Sequence, residues 1–345
     1  MSRMALSRPV LVAGGVGALA ALGWVLVAVF GGVVMPSYLG AWLFGLAVPM
    51  GALPVVMVLE WMGAAEEGVL PVLRRALLLL PVGAVLAVPV LVASGGLFGG
   101  GAGRGLPGWW LGGLVVRGIV ILVVMAGLAV LFARVPRRPR TGLAVVGGLL
   151  YLVAASVGAV DWVLAVQPGL GSSLVGVLFM LAQAGVAVAL AGVAVAVGTP
   201  RGGRVPEGAA MLVALLLAAW AFVHFIQFLT VWSANLPAEA SWYLARAGGL
   251  GGFGMGFAAV CVLLGCAVLP TALGRVPVVL ATLGSMVLLA HLIEAFWLVT
   301  PAYRGAFRVT GVDVLALLGV GGMLLAVLLA LSPRTGTMEA RHGTA

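Results

Sequence analysis

The chain has no lysine and little charge of any kind: all 18 basic residues are arginine, and charged residues make up 8% of 345 positions. A soluble domain carries about 25% charged residues, so this surface cannot be mainly water-facing. Cysteine is almost missing too. Cys261 and Cys266 are the two copies, and five residues apart on a helix they point about 140° from each other. That spacing excludes a disulfide between them or a shared metal, and they read as small apolar filler. There is no CxxCH haem-attachment motif and no cluster-type cysteine spacing. Basic stretches interleaved with aromatics are also lacking, so the net charge of +9 and pI near 11.2 do not point to nucleic acid. The missing lysine, beside abundant Ala, Gly, Val and Arg, matches a GC-rich coding bias.

What fills the chain instead is apolar: 63% hydrophobic residues and a mean hydropathy of +1.27. A hydrocarbon core about 30 Å thick takes about 20 helical residues to cross, and backbone inside it must be hydrogen-bonded internally. Runs of that length, too evenly apolar for alternating barrel strands, predict an all-α integral membrane protein with about ten transmembrane helices. The expected spans lie near 9–34, 38–63, 72–94, 109–133, 142–165, 171–197, 208–233, 248–271, 276–299 and 311–331. Arg3 and Arg8 precede the first run as they would a secretory signal. Its length exceeds the 7–15 apolar residues of a signal core, so it is expected to stay as a membrane helix.

Arginine asymmetry orients the bundle. Thirteen arginines (3, 8, 74, 75, 134, 137, 138, 140, 201, 204, 275, 334 and 341) fall at the termini and alternate joints; only Arg104, Arg246, Arg304 and Arg308 fall at the opposite joints. Both termini are therefore expected in the cytoplasm of a bacterial inner membrane. Glycine, with 53 copies, allows close helix approach in lipid, as in the ladder Gly248, Gly252, Gly256. A formal GxGxxG at Gly249, Gly251 and Gly254 has no strand before it and no acidic residue after it. It does not read as a dinucleotide site.

Ionisable residues at membrane depth cost several kcal/mol unless paired or hydrated, and each is a functional candidate. Arg117 lies about 12 Å inside the fourth span at 1.5 Å per residue. Asp161 closes the fifth, His224 and Gln227 share one face of the seventh, and His291 and Glu294 share one face of the ninth. All are expected in one depth band on the non-cytoplasmic side. Three readings stand side by side: a structural network with Arg117 paired to Asp161 or Glu294, a quinol pocket or proton half-channel, and a b-type haem between His224 and His291. The haem reading is the weakest, because no second histidine pair exists. Glu60, Glu66 and Glu67 follow the second span beside Arg74 and Arg75. They read as a solvated loop with local ion pairs, or as a cytoplasmic proton entry through Glu60. No metal set and no catalytic constellation stands out.

One string is more specific. Phe225-Ile226-Gln227-Phe228-Leu229-Thr230-Val231-Trp232-Ser233-Ala234-Asn235-Leu236-Pro237-Ala238-Glu239, then Trp242-Tyr243-Leu244 and Arg246, resembles the FSQFLIIW…NLPEE…WYL.R signature of a large membrane subunit of alternative complex III. This is the bacterial quinol:cytochrome c oxidoreductase, and the subunit is its second quinone-binding-type chain. Asp161-Trp162, Pro168 and Ser172-Ser173 are similar to the family's DW…P.W.S stretch, and Glu294, Trp297 and Pro301 to its D..W…P element. Tyr38–Gly51 and Glu60–Arg74 match more loosely. Ala238 stands where the family has a first Glu, Glu294 replaces an Asp, and His224 is outside the pattern.

The resemblance implies the polysulfide-reductase-type fold of two four-helix bundles with flanking helices, and a faint echo suggests parallel pseudo-repeats over 38–165 and 171–299. It also implies a subunit of an oxidoreductase complex without a redox centre of its own. Electrons would pass through partner chains: an iron–sulfur subunit, a multihaem cytochrome c and a second polytopic subunit. Quinol is the one small ligand implied. Asp161, Gln227, His291, Glu294, Arg117, His224 and Glu239 are then candidates for a proton path or quinone-facing surface. A proton-coupled secondary transporter and an assembly factor for a terminal oxidase are the alternatives. Off-centre polar groups and parallel rather than inverted repeats argue against the transporter.

Overall fold

A computed structural model of the chain describes residues 8–29, 33–63, 68–98, 108–134, 141–167 and 170–331. Glu66, Glu67 and Pro168 lie outside the described residues, as do the arginines at 3, 104, 137, 138, 140, 334 and 341. The elements are α1 (Arg8–Val29), α2 (Met35–Trp61), the short α3 (Leu70–Leu77), α4 (Leu80–Val85), α5 (Val88–Val92) and α6 (Ser94–Phe98), then α7 (Gly108–Arg134), α8 (Thr141–Trp162), α9 (Val175–Gly198), α10 (Glu207–Ala234), α11 (Pro237–Ala247), α12 (Leu250–Val268), α13 (Pro277–Val299), α14 (Pro301–Arg304) and α15 (Gly311–Ala330). Ten segments among the described residues are long and apolar enough to cross a membrane. The chain is an all-α, multi-pass membrane protein.

Helix α9 runs through the middle of the bundle, against α2, α8, α10 and α13. Its buried face is made of small residues, including Gly185, Ala187, Ala189, Ala191 and Gly192. Lipid removes the hydrophobic drive between helices, so close packing must hold them together, and small side chains permit it. The tightest crossing is at Gly51 of α2, where an added Cβ would fall on the Gln183 carbonyl of α9. Helices α1 and α15 form a flanking pair by the same device: a Cβ on Gly322 would lie 2.7 Å from the Gly17 Cα. Helix α15 in turn packs on α2.

The third span corrects the expectation of one continuous helix over 72–94. It is broken into α3, α4 and α5, with Pro71, Pro81 and Pro89 each in the first turn of a piece. Proline cannot donate to the carbonyl four residues back, and carbonyls freed in hydrocarbon must find other donors. Helix α2 supplies two of them: Tyr38 Oη donates to the Leu86 carbonyl at 2.8 Å and Trp42 Nε1 to the Gly83 carbonyl at 2.9 Å.

Helix α10 ends at Asn235, whose φ of 49° is the left-handed cap that a short amide side chain tolerates. Pro237 then opens α11, a short helix lying over that end of the bundle. At the same end Arg304 binds Asp313 through both nitrogens at 2.8 Å, and Asp313 closes a capping box with Thr310. Arg246 and Arg304 therefore mark one end, and the Glu60–Arg74 ion pair at 2.8 Å marks the other.

Candidate functional site

Two adjacent helices bring a carboxylate and two imidazoles together. On α10, Trp220 and His224 are four apart; on α13, His291 and Glu294 are three apart, so each pair projects from one face. Glu294 Oε1 accepts from Trp220 Nε1 at 3.0 Å and meets His224 Nε2 at 2.8 Å, while Oε2 meets His291 Nδ1 at 2.8 Å. The Trp220 ring packs against both imidazoles, with centroids 4.5 and 5.0 Å away. Glu294 and His291 are buried and His224 is partly exposed. A carboxylate with both imidazoles in the donating tautomer has three N–H groups aimed at it, the saturation a buried charge needs.

A cavity lies on each side of this carboxylate. The larger, about 510 Å³, is enclosed by α10, α12 and α13, with Tyr243 of α11 at its upper edge. Its walls are apolar apart from His224, Tyr243, Glu294 and the indoles of Trp220 and Trp297. Phe225, Phe228, Met255 and Leu263 form its mouth and are well exposed on the lipid-facing flank. The smaller cavity, about 50 Å³, lies inside the bundle and is more polar, with Gln167, Ser172, Gln227, His224 and Glu294 among its walls. Within it Ser172 Oγ donates to Gln227 Oε1 at 2.5 Å and accepts from the Leu174 backbone at 3.1 Å.

The end of the site is tied down by Arg246, which is completely buried. Its guanidinium donates to the carbonyls of Trp297, Leu298 and Trp242 and to Gln167 Oε1, all between 2.9 and 3.1 Å. It also lies 3.7 Å from the Trp242 ring centroid, a cation–π contact. Trp297 and Leu298 are in the last turn of α13, where carbonyls lack helical donors and the dipole favours a cation. Burial pulls the guanidinium down to about 9, with Tyr243 opposing it, so Arg246 keeps its charge at neutral pH. Burial likewise pushes the Tyr243 phenol up to about 12 against the pull of Arg246.

The residues expected to share one depth band divide into separate sets. Arg117 and Asp161 pair in bidentate fashion, Nε to Oδ2 at 2.9 Å and Nη2 to Oδ1 at 2.7 Å, joining α7 to α8. They line neither cavity. Gln227 joins Ser172, while His224, His291 and Glu294 form the carboxylate cluster. Glu239 stands away from that cluster, near Gly171, whose added Cβ would lie 3.1 Å from Glu239 Oε1. Glu60 is held by Arg74, as the local ion-pair reading expects.

His224 and His291 are close, as a haem reading requires, but both turn a ring nitrogen toward Glu294. A carboxylate and the Trp220 indole occupy the space between them, so the pair does not fit two axial ligands. Sequence reasoning missed Trp220, Ser172, Tyr243 and Arg246 as site residues. Trp220 sits one helical turn before His224, which was the available signal, whereas Arg246 read as a loop charge. Comparison with family models and with curated proteins finds no match to this chain.

Proposed function

We propose that this chain is a membrane subunit of a respiratory quinol:cytochrome c oxidoreductase of the alternative complex III type, and that its Glu294 cluster is a quinol-facing proton acceptor. The observation that carries the reading is a buried carboxylate, held by two imidazoles and an indole, between a lipid-open apolar cavity and a small polar one. About 510 Å³ is within the range of small-molecule sites, and its apolar walls suit a ring with an isoprenoid tail. His224, Tyr243 and Glu294 are the groups on its walls able to bond a quinol hydroxyl.

A quinol releases two protons and two electrons on oxidation. This chain's part is the protons: the partly exposed His224 takes the hydroxyl proton at the cavity wall, the Glu294 carboxylate balances the imidazolium, and Ser172, Gln227 and Gln167 offer polar contacts beyond. The electrons belong to iron–sulfur and haem partners. In this reading the Arg246 end faces away from the cytoplasm in a bacterial inner membrane, and Arg117–Asp161 is a helix clamp. The broken third span is the feature a secondary transporter would share, but its ionisable groups, Arg74 and Arg75, sit in the last turn of α3, and Arg74 is paired with Glu60 at the opposite end from the Glu294 cluster.

The test is photolabelling of the purified chain in lipid nanodiscs with an azido-quinone. Label is expected on α10, α12 and α13, reduced at least fivefold by Phe228→Trp and Met255→Trp, which fill the mouth. Label spread evenly over lipid-facing helices would overturn the reading.

A further inference from the structure

We infer that a third cavity holds an internal water that bridges Gln183 to the Nε2 of His291. The cavity, about 30 Å³, lies between α2, α9 and α13, and its walls include Gln183, His291 and Glu294. Two buried nitrogens belong to these walls, Gln183 Nε2 and His291 Nε2, and neither has a hydrogen-bond partner among the described residues. Gln183 is 1% exposed and His291 3%. A buried polar atom left unpaired costs about 1–3 kcal/mol, and two in one small space are exceptional.

The chemistry of the two nitrogens is complementary. Tyr151 Oη donates to Gln183 Oε1 at 3.0 Å, which orients the amide so that its NH₂ is the free group. His291 Nδ1 meets Glu294 Oε2 at 2.8 Å; with a proton on Nδ1 to donate, neutral Nε2 is a bare acceptor. A donor and an acceptor facing one cavity cannot both be satisfied by an apolar filler. One water can satisfy them by accepting from Gln183 and donating to His291. A water needs roughly 10–15 Å³ and two to four polar partners, and this cavity supplies both. Gly185 leaves room beside the same ring nitrogen, since a Cβ there would lie 2.7 Å from His291 Nε2.

Tyr151, Gln183 and the water thus form a positioning chain behind His291. They satisfy Nε2 as an acceptor while Glu294 holds the Nδ1 proton. The site stands on its own geometry and does not depend on the quinol reading.

The experiment is solid-state NMR of the full chain in lipid, with ¹⁵N-histidine and water-edited transfer; His224→Phe and His342→Ala backgrounds assign the His291 signals. Expected are an Nδ1-protonated neutral ring, a water contact to its ring nitrogen, and loss of at least half of that contact in Gln183→Met. An Nε2-protonated ring or a ring without water contact in the unsubstituted chain overturns the inference, even if Gln183→Met fails to fold. Quinone photolabelling that fails while the water contact persists would strike the proposed function alone.

Discussion

Replacing Glu294 by glutamine and by leucine separates what its charge does from what its shape does. Oε1 takes Trp220 and His224, and Oε2 takes His291. In Glu294→Gln the amide oxygen must replace Oε1, because Trp220 can only donate. The amide NH₂ then faces His291, which can adapt by moving its proton from Nδ1 to Nε2. Three bonds survive without charge assistance, and the expected loss is about 1–2 kcal/mol, the gap between charged and neutral bonds after partial relief of desolvation. Glu294→Leu leaves three N–H groups without an acceptor, at about 1–3 kcal/mol for each that stays dry and unpaired. One imidazole can relax by changing tautomer, so the expected loss is about 2–6 kcal/mol. Titrated unfolding in mixed detergent micelles, read by tryptophan fluorescence, measures both. The reasoning fails if the two variants unfold together, or if His291 keeps its Nδ1 proton in Glu294→Gln. In an assembled complex the glutamine variant should also release fewer protons per quinol, and unchanged stoichiometry would remove Glu294 from the proton path.

Gly51→Val places branched carbon on the Gln183 carbonyl at the α2–α9 crossing. It should lower the melting temperature sharply, whereas Gly148→Val, with open space around its Cβ, should leave it within error. Arg246→Met strips donors from three carbonyls and Gln167, and should cost several kcal/mol, at about 1–3 kcal/mol for each buried acceptor left unpaired. Retention of wild-type stability would mean those carbonyls find other donors. The Tyr243 phenol, raised to about 12 by burial, binds its proton more tightly folded than unfolded. Its stabilising contribution is therefore complete below about pH 10 and lost as pH rises through about 12. The phenolate difference spectrum between the wild type and Tyr243→Phe should have its midpoint near the higher value; a midpoint near 10 would contradict the burial argument.

The ten spans were legible because length and lack of charge are the signals a bilayer reads directly. The break in the third span was less so: Pro71, Pro81 and Pro89 sit in an unbroken apolar run, and only the donors from Tyr38 and Trp42 show how lipid tolerates the gaps. His224, Gln227, His291 and Glu294 stood out as polar groups where hydrocarbon penalises them. Depth alone could not say which way each pointed around its helix. Arg117 and Asp161 therefore looked like members of one cluster; they bind each other, as the structural-network reading allowed, and line neither cavity. Arg246 hid for the opposite reason: an arginine in a short joint reads as a topology marker, and nothing local shows that α13 ends against it. Trp220 resembled an ordinary membrane aromatic until packing set it against Glu294, and Tyr243, though part of the quoted string, gave no sign that it would share a cavity wall with that carboxylate.

Membership of a quinol-oxidising complex is the central claim, and purification from native membranes tests it most directly. The tagged chain is extracted in mild detergent and its companions are identified by mass spectrometry. The account predicts an iron–sulfur subunit, a multihaem cytochrome c and a second polytopic subunit in fixed ratio to this chain. Recovery of the chain alone, or only with copies of itself, would contradict it and return the Glu294 cluster to a transporter or an assembly factor.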